Sequence, residues 1–231
     1  GLDGAKLPET DIKPLNMHAV DFIISTLLAD TVNRDEKIYL VPTGPLTNIA
    51  VALIKAPEIK NRIERIVLMG GALYDSNVTP AAEFNIFVDP EAAKIVFEAG
   101  IPITMVGLDV TNKAIFSFPD IDRITGLNGR VSSIVGPLLH FFAHANLEIF
   151  NINGAPLHDP LTVAYLIDSS ILTTKPLHVD IETKGEFTRG RTVADIYRVT
   201  GKKPNAEVAL RVDVDKFKKL IFDAVVKLDA R

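Results

Sequence analysis

Asn77, Glu83 and Asn85 place two amides and a carboxylate in one polar stretch, Gly70 to Ala93 (GGALYDSNVTPAAEFNIFVDPEAA). Amide and carboxylate groups can share donor and acceptor duties with vicinal hydroxyls, so the set suits the grip of a diol. Glu83 and Asn85 are two apart; on extended backbone both would point one way and Phe84 the other. The plainer reading is a polar loop that leads into a helix, with Asp89-Pro90-Glu91 as N-cap, first-turn proline and acidic residue. Both readings hold together: Asp89 to Glu91 start the helix, while Asn77, Glu83 and Asn85 face a ligand.

His158 and Asp159 are adjacent and precede Pro160 at a helix start. Neighbouring side chains diverge, so this is no dyad in which the aspartate orients the histidine. The pair can instead serve different halves of one ligand, the histidine as proton donor and the aspartate as ligand of a metal or a hydroxyl. The alternative is an aspartate that caps the helix beside a surface histidine. Phe142, Asn146 and Phe150 are spaced by four on one helix face, a pattern that fits core packing as well as a wall for a planar base. His140 and His144 are also four apart, but Phe141 stands where a zinc-protease motif needs glutamate.

These residues need elements to hold them. Ile66-Val67-Leu68-Met69 is a short apolar run that reads as a buried parallel strand ending at Gly70-Gly71. Lys37–Val41 is a second strand, ending at Pro42-Thr43-Gly44-Pro45, and Ile103–Leu108 a third, with Asp109 beyond its end as a structural cap or supporting residue. Thr43 and the Gly70 loop thereby lie at carboxyl ends of parallel strands, where open α/β sheets bind ligands. Helices are expected over about 16–29, 46–55, 89–99 (ended by Gly100), 119–124, 131–150, 160–167 and 214–228, with a short helical stretch over 57–62. Leu177–Thr183 and Gly185–Asp195 read as an antiparallel pair, and Ala206–Val212 as a further strand. Alternating strand and helix implies an α/β fold with an open, mostly parallel sheet flanked by helices. Residues 1–231 show no repeat or linker and read as a single domain.

Composition narrows the function. With a net charge of -4, a pI near 5.8 and no dense Lys/Arg stripe, no nucleic-acid partner is expected. The absence of cysteine excludes disulfides, a thiol nucleophile and thiolate metal sites, and fits a reducing, cytoplasmic setting. No apolar run approaches the roughly 20 residues that span a bilayer, so no membrane partner is expected. There is no G-x-S-x-G elbow, no P-loop and no G-x-G-x-x-G fingerprint.

Taken together, Leu40-Val41-Pro42-Thr43-Gly44-Pro45-Leu46-Thr47-Asn48, Val67-Leu68-Met69-Gly70-Gly71, Ala82-Glu83-Phe84-Asn85 with Asp89-Pro90-Glu91-Ala92, and Ala155-Pro156-Leu157-His158-Asp159-Pro160 resemble the nucleoside hydrolases, the inosine-uridine-preferring N-ribohydrolases. The four motifs run in the expected order over essentially the whole chain. The opening Gly1-Leu2-Asp3-Gly4 with Leu7-Pro8-Glu9 is most similar to the pyrimidine-preferring bacterial branch. The resemblance implies hydrolysis of ribonucleosides to ribose and free base through a calcium-bound water and an oxocarbenium-like transition state. It implies that Asn77, Glu83 and Asn85 hold the ribose hydroxyls and that Met69 lines the sugar site. It further implies that the Thr43 carbonyl and Asp159 bind calcium, Asp159 also lying against the substrate, that His158 protonates the leaving base, and that Asn146 and Phe150 contact the nucleobase. It also implies a homodimer or homotetramer.

The family signature D-x-D-P-G-x-D-D, source of most calcium carboxylates and of the general base, has no match in these 231 residues, nor has the family's first strand. The expectation is therefore the carboxyl-terminal three-quarters of a nucleoside hydrolase, active when completed by the preceding segment. Taken alone, such a chain has an alternative role as a non-catalytic ribose-binding or assembly fragment.

Overall fold

Three β-branched or leucine-rich runs, too short for helices and bounded by turns, build one side of a sheet: β1 (Ile38–Leu40), β2 (Ile63–Met69) and β3 (Ile103–Val106). The structure, a computed structural model, describes residues 3–29 and 36–231. Gly1 and Leu2 of the opening segment lie outside the described residues. β2 pairs in parallel with β1 and with β3, and β3 in parallel with β9 (Ala206–Val212). β6 (Leu172–Leu177) completes a five-stranded sheet in the order β1-β2-β3-β9-β6. Ile66, Val67, Leu68, Met105 and Val106 are sealed from solvent, as the uniformly apolar pattern of a sheet covered on both faces requires.

Among the described residues two compact units result: one within 15–110 and 172–211, the other within 3–14, 111–171 and 212–231. The first holds the sheet with α1 (Ala19–Leu28), α2 (Thr47–Lys55), the 3₁₀ turn Pro57–Arg62, α3 (Phe84–Val88) and α4 (Pro90–Glu98). The ends of α4 follow local chemistry: Asp89 accepts from the Ala92 amide, Pro90 occupies the first position, and Gly100 takes φ +76° just past the helix. In the second unit, α6 (Phe118–Thr125), α7 (Ser132–Phe150), α8 (His158–Ile167) and α9 (Val214–Asp229) pack around a short antiparallel pair, β4 (Ile115–Phe116) with β5 (Ala155–Pro156). Phe116 and Phe217, both buried, meet edge to face there. Asn151 stops α7 in a left-handed conformation.

Two stretches differ from expectation. The antiparallel pair is confined to β7 (Val179–Ile181) and β8 (Thr192–Ala194), because Glu182 folds back onto the Lys184 and Gly185 amides and turns the chain early. The preceding residues form β6 instead, a strand in the main sheet that the polar sequence LTTKPL conceals. Among the described residues no helix is long and apolar enough to cross a membrane.

Candidate active site

Within the sheet-bearing unit, the carboxyl ends of β1, β2 and β3 are knitted by main-chain bonds. The Met69 amide donates to the Pro42 carbonyl (3.0 Å), that of Gly70 to Val106 (3.3 Å) and that of Leu108 to Gly71 (2.9 Å). Gly71 adopts φ +70°, and a Cβ there would lie 2.6 Å from the Thr192 side chain, so no larger residue fits this corner. Thr192 in turn receives the Ala72 amide at 2.9 Å and donates to the Ala72 carbonyl.

Glu83 is 3% exposed and anchors this corner. Its Oε2 accepts from the Gly71 amide (2.8 Å) and the Ile86 amide (3.2 Å), and its Oε1 from the Asn85 amide (2.8 Å). It is thus the N-cap of α3 and a tie across to the end of β2. Phe84 to Val88 are helical, so the alternation argued for extended backbone does not describe this stretch. The side chains of Glu83 and Asn85 are related by a helix start, with Phe84 half exposed beside them.

Asn85, 8% exposed, points its Nδ2 at the Met69 carbonyl (3.0 Å) and at Thr43 O (3.4 Å). The Met69 sulfur lies 3.3 Å from the same nitrogen. The amide therefore joins the ends of β1 and β2. Its Oδ1 takes no bond from the described residues and is not sealed from solvent. Asn77 is exposed; its Oδ1 accepts from the Phe84 amide at 2.9 Å, and its Nδ2 meets no partner among the described residues.

Asp109, just past β3, is buried and holds the loop that carries these groups. Its Oδ2 accepts from Leu73 N (2.7 Å), and its Oδ1 from Tyr74 N (2.9 Å) and Asp75 N (3.4 Å). An asparagine would turn an NH₂ group toward one of these donors. Asp109→Asn is expected to destabilise the protein by about 1–3 kcal/mol, the usual effect of losing charge-assisted bonds and leaving a buried donor unmatched. A lowered midpoint in denaturant at unchanged slope checks this, and an unshifted midpoint counts against it.

In the other unit, His158 and Asp159 occupy the first turn of α8 rather than the turn before it. Asp159 makes no side-chain cap, and the cap position is taken by Leu157. The His158 Nδ1 is 2.8 Å from the Thr111 hydroxyl. Burial lowers the pKa of the imidazole below its ordinary value and so favours the neutral ring; it raises that of the Asp159 carboxyl. A cavity of about 670 Å³ within this unit is walled by Leu139, Phe142, Leu157 and Val225, with His158 and Asp159 in its lining. Asn146 is buried on α7 and donates from Nδ2 to the Phe142 carbonyl at 2.8 Å, while its Oδ1 is not sealed from solvent. Phe150 ends α7 and is 65% exposed.

The family model of the inosine-uridine preferring nucleoside hydrolases matches residues 1–219. The chain belongs to that family. The pyrimidine-specific ribonucleoside hydrolase RihA of Escherichia coli is 47% identical over 224 residues, which are 96% of this chain and 71% of the relative. Among solved structures, a purine-preferring ribonucleoside hydrolase from Gardnerella vaginalis superposes with TM-score 0.87 at 38% identity, over 97% of this chain and 70% of that one. A plant nucleoside hydrolase does so with TM-score 0.85 at 28% identity, over 96% and 71%. The nucleoside hydrolase fold is thus shared, including the mostly parallel sheet read from the strand pattern.

Within this nucleoside hydrolase fold, Thr43, Met69, Glu83 and Asn85 form one bonded cluster, with Asn77 at its edge. His158 and Asp159 share a cavity lining in the other unit. Two residues with clear structural claims on the sites escaped the sequence reading as participants. Asp109 reads only as a structural cap or supporting residue, and Thr111 has no role assigned from the sequence. Their partners are 34 to 36 and 47 residues away in the chain, so local pattern gives no sign of them.

Proposed function

We propose that this nucleoside hydrolase cleaves the N-glycosidic bond of ribonucleosides, with preference for uridine and cytidine, to give ribose and free base. The observation that carries the substrate preference is the 47% identity to a pyrimidine-specific enzyme across nearly the whole chain, against 38% to the purine-preferring structural relative. The same match disfavours a fragment that only binds ribose or assembles.

In this reading Asn77, Glu83 and Asn85 hold the ribose hydroxyls and Met69 lines the sugar site. Glu83 fixes the backbone that presents Asn85, whose open Oδ1 accepts from a hydroxyl. His158 faces the leaving base, with Asn146 Oδ1 and the exposed Phe150 ring contacting its polar and flat surfaces. As the C1′–N bond breaks, positive charge grows on the sugar and negative charge on the base. Water adds its oxygen to C1′ and releases a proton to solvent; the departing base, its growing negative charge met by a hydrogen bond from His158, takes up a proton from solvent. Rigid placement of the ribose keeps attack in line.

Calcium is known for the family. The reading assigns it the Thr43 carbonyl and Asp159, and a bound ion would supply a lowered pKa to a coordinated water. Among the described residues, however, no three His, Asp or Glu side chains gather to hold a metal. One carbonyl and one carboxylate fall well short of the roughly six to eight oxygens that calcium takes. The residues named do not by themselves fit the ion, and no step here is derived through it. The expected setting is cytoplasmic and the expected state a homodimer or homotetramer; the lack of cysteine and of a membrane-crossing helix among the described residues agrees with the former.

Ribose release from uridine, cytidine and inosine tests the proposal. A higher kcat/KM on the two pyrimidine nucleosides is expected. Preference for inosine would overturn the specificity, and ribose binding without hydrolysis would restore the fragment reading.

A further inference from the structure

The bond between His158 and Thr111 can be oriented from the surroundings of the hydroxyl. Thr111 ends α5 (Leu108–Thr111) and is fully buried. Its hydroxyl has one hydrogen to give and lone pairs to receive. Among the described residues its only side-chain bond is the 2.8 Å contact to His158 Nδ1. If the ring carried its hydrogen on Nδ1 and donated to Oγ1, the hydroxyl hydrogen would be buried with no acceptor, the costlier arrangement. If the hydroxyl donates, both groups are satisfied.

The opposite ring nitrogen completes the picture. Nε2 meets no partner among the described residues. It is not sealed, since the buried side-chain polar atom left without a partner among them is Asp229 Oδ2 and not this one. We infer that Thr111 is the positioning residue of His158: its hydroxyl donates to Nδ1, and the neutral ring therefore carries its hydrogen on Nε2, the nitrogen that faces space a ligand can enter. The inference rests on the reading of His158 as the group that meets the leaving base.

The chemical consequence is direct. A fixed Nε2–H is a donor aimed outward, ready for the nitrogen or oxygen of a base on which negative charge develops. A ring free to flip would present a bare nitrogen part of the time, a lone pair where a donor is needed. Thr111 touches no substrate in this scheme; it acts by selecting the tautomer and the ring orientation. The threonine methyl packs in the same buried site, so valine keeps the shape and loses only the hydroxyl, whereas serine keeps the hydroxyl.

The test combines a spectrum with kinetics on the full-length protein. Nitrogen-15 NMR of histidine-labelled protein is expected to show His158 with protonated Nε2 and bare Nδ1; Thr111→Val is expected to show a mixture and Thr111→Ser the parent pattern. On uridine, Thr111→Val is expected to lower kcat by up to about 100-fold with KM within about twofold, since a small misplacement of a catalytic group has that effect. Thr111→Ser is expected to recover most of the loss. On 4-nitrophenyl β-D-ribofuranoside, whose phenolate leaves without a proton, both variants should match the parent. A parent spectrum with the hydrogen on Nδ1 overturns the inference, as does an unimpaired Thr111→Val on uridine while His158→Ala is impaired. If His158→Ala itself hydrolyses uridine normally, the role of His158 fails instead, and the spectrum still decides the Thr111 bond.

Discussion

His158→Ala is expected to lower kcat/KM on uridine and cytidine by about 10²- to 10³-fold, the range one preorganised hydrogen-bond donor contributes. A pyrimidine anion is a poor leaving group, so hydrogen bonding or proton transfer to it lowers the barrier most for such bases. His158 stands in the first turn of α8 with Nδ1 engaged by Thr111 and Nε2 open. Alanine deletes the outward donor and also strips the buried Thr111 hydroxyl of its acceptor. The second effect costs stability of about 1–3 kcal/mol and must be separated from the first. A riboside with a nitrophenolate leaving group makes the separation, because it needs the folded sugar site but no proton on departure. Near-parent rates on that riboside together with the large loss on uridine identify a leaving-base role. Equal losses on both would reduce His158 to a packing residue.

The parts of this molecule that were legible in the sequence are those fixed by local pattern. Ile66-Val67-Leu68-Met69 and Ala206–Val212 read as buried strands because nothing but a covered sheet tolerates such runs between turns. Asp89-Pro90-Glu91 and Gly100 mark the ends of α4 because capping is decided within a few residues. The four motifs also led to the right family, since each concentrates unusual residues at strand or helix ends. What local pattern could not give is where polar side chains direct their bonds. Glu83 was read as half of an extended pair, yet its carboxylate closes the start of α3 and reaches Gly71, twelve residues back. Glutamate is an uncommon N-cap, and a five-residue helix leaves too short a period to detect. Likewise β6 carries threonine, lysine and proline within LTTKPL, which conceals a strand at the sheet edge, where proline is tolerated. Asp109 and Thr111 follow β3 directly, and only the fold brings their distant partners to them.

The bonding around Glu83 also changes what its replacement should do, and sets it apart from Asn85. Three main-chain donors, on Gly71, Asn85 and Ile86, converge on one buried carboxylate. Glu83→Ala leaves all three without an acceptor in a site nearly closed to water. The expected result is a loss of about 3–5 kcal/mol, the size seen when a buried charged network is broken. A global drop in thermal midpoint should accompany it, along with low activity on every nucleoside. Asn85→Ala removes less from the fold: the Met69 and Thr43 carbonyls lose one donor, and the α3 cap remains. Its expected loss of stability is about 1–2 kcal/mol. If Asn85 Oδ1 binds a ribose hydroxyl that tightens in the transition state, kcat/KM should still fall by about 10²-fold on uridine, cytidine and inosine alike, as for loss of one preorganised polar contact. The two variants differ in what accompanies the loss of rate. Glu83→Ala should be the worse variant in denaturant. Asn85→Ala should keep its loss of rate at temperatures where the protein is fully folded. Were Asn85→Ala to keep parent kinetics there, the amide would be a tie between strand ends and nothing more. The ribose would then have to be held by Asn77, by Glu83 and by main-chain groups at the ends of β1 and β2.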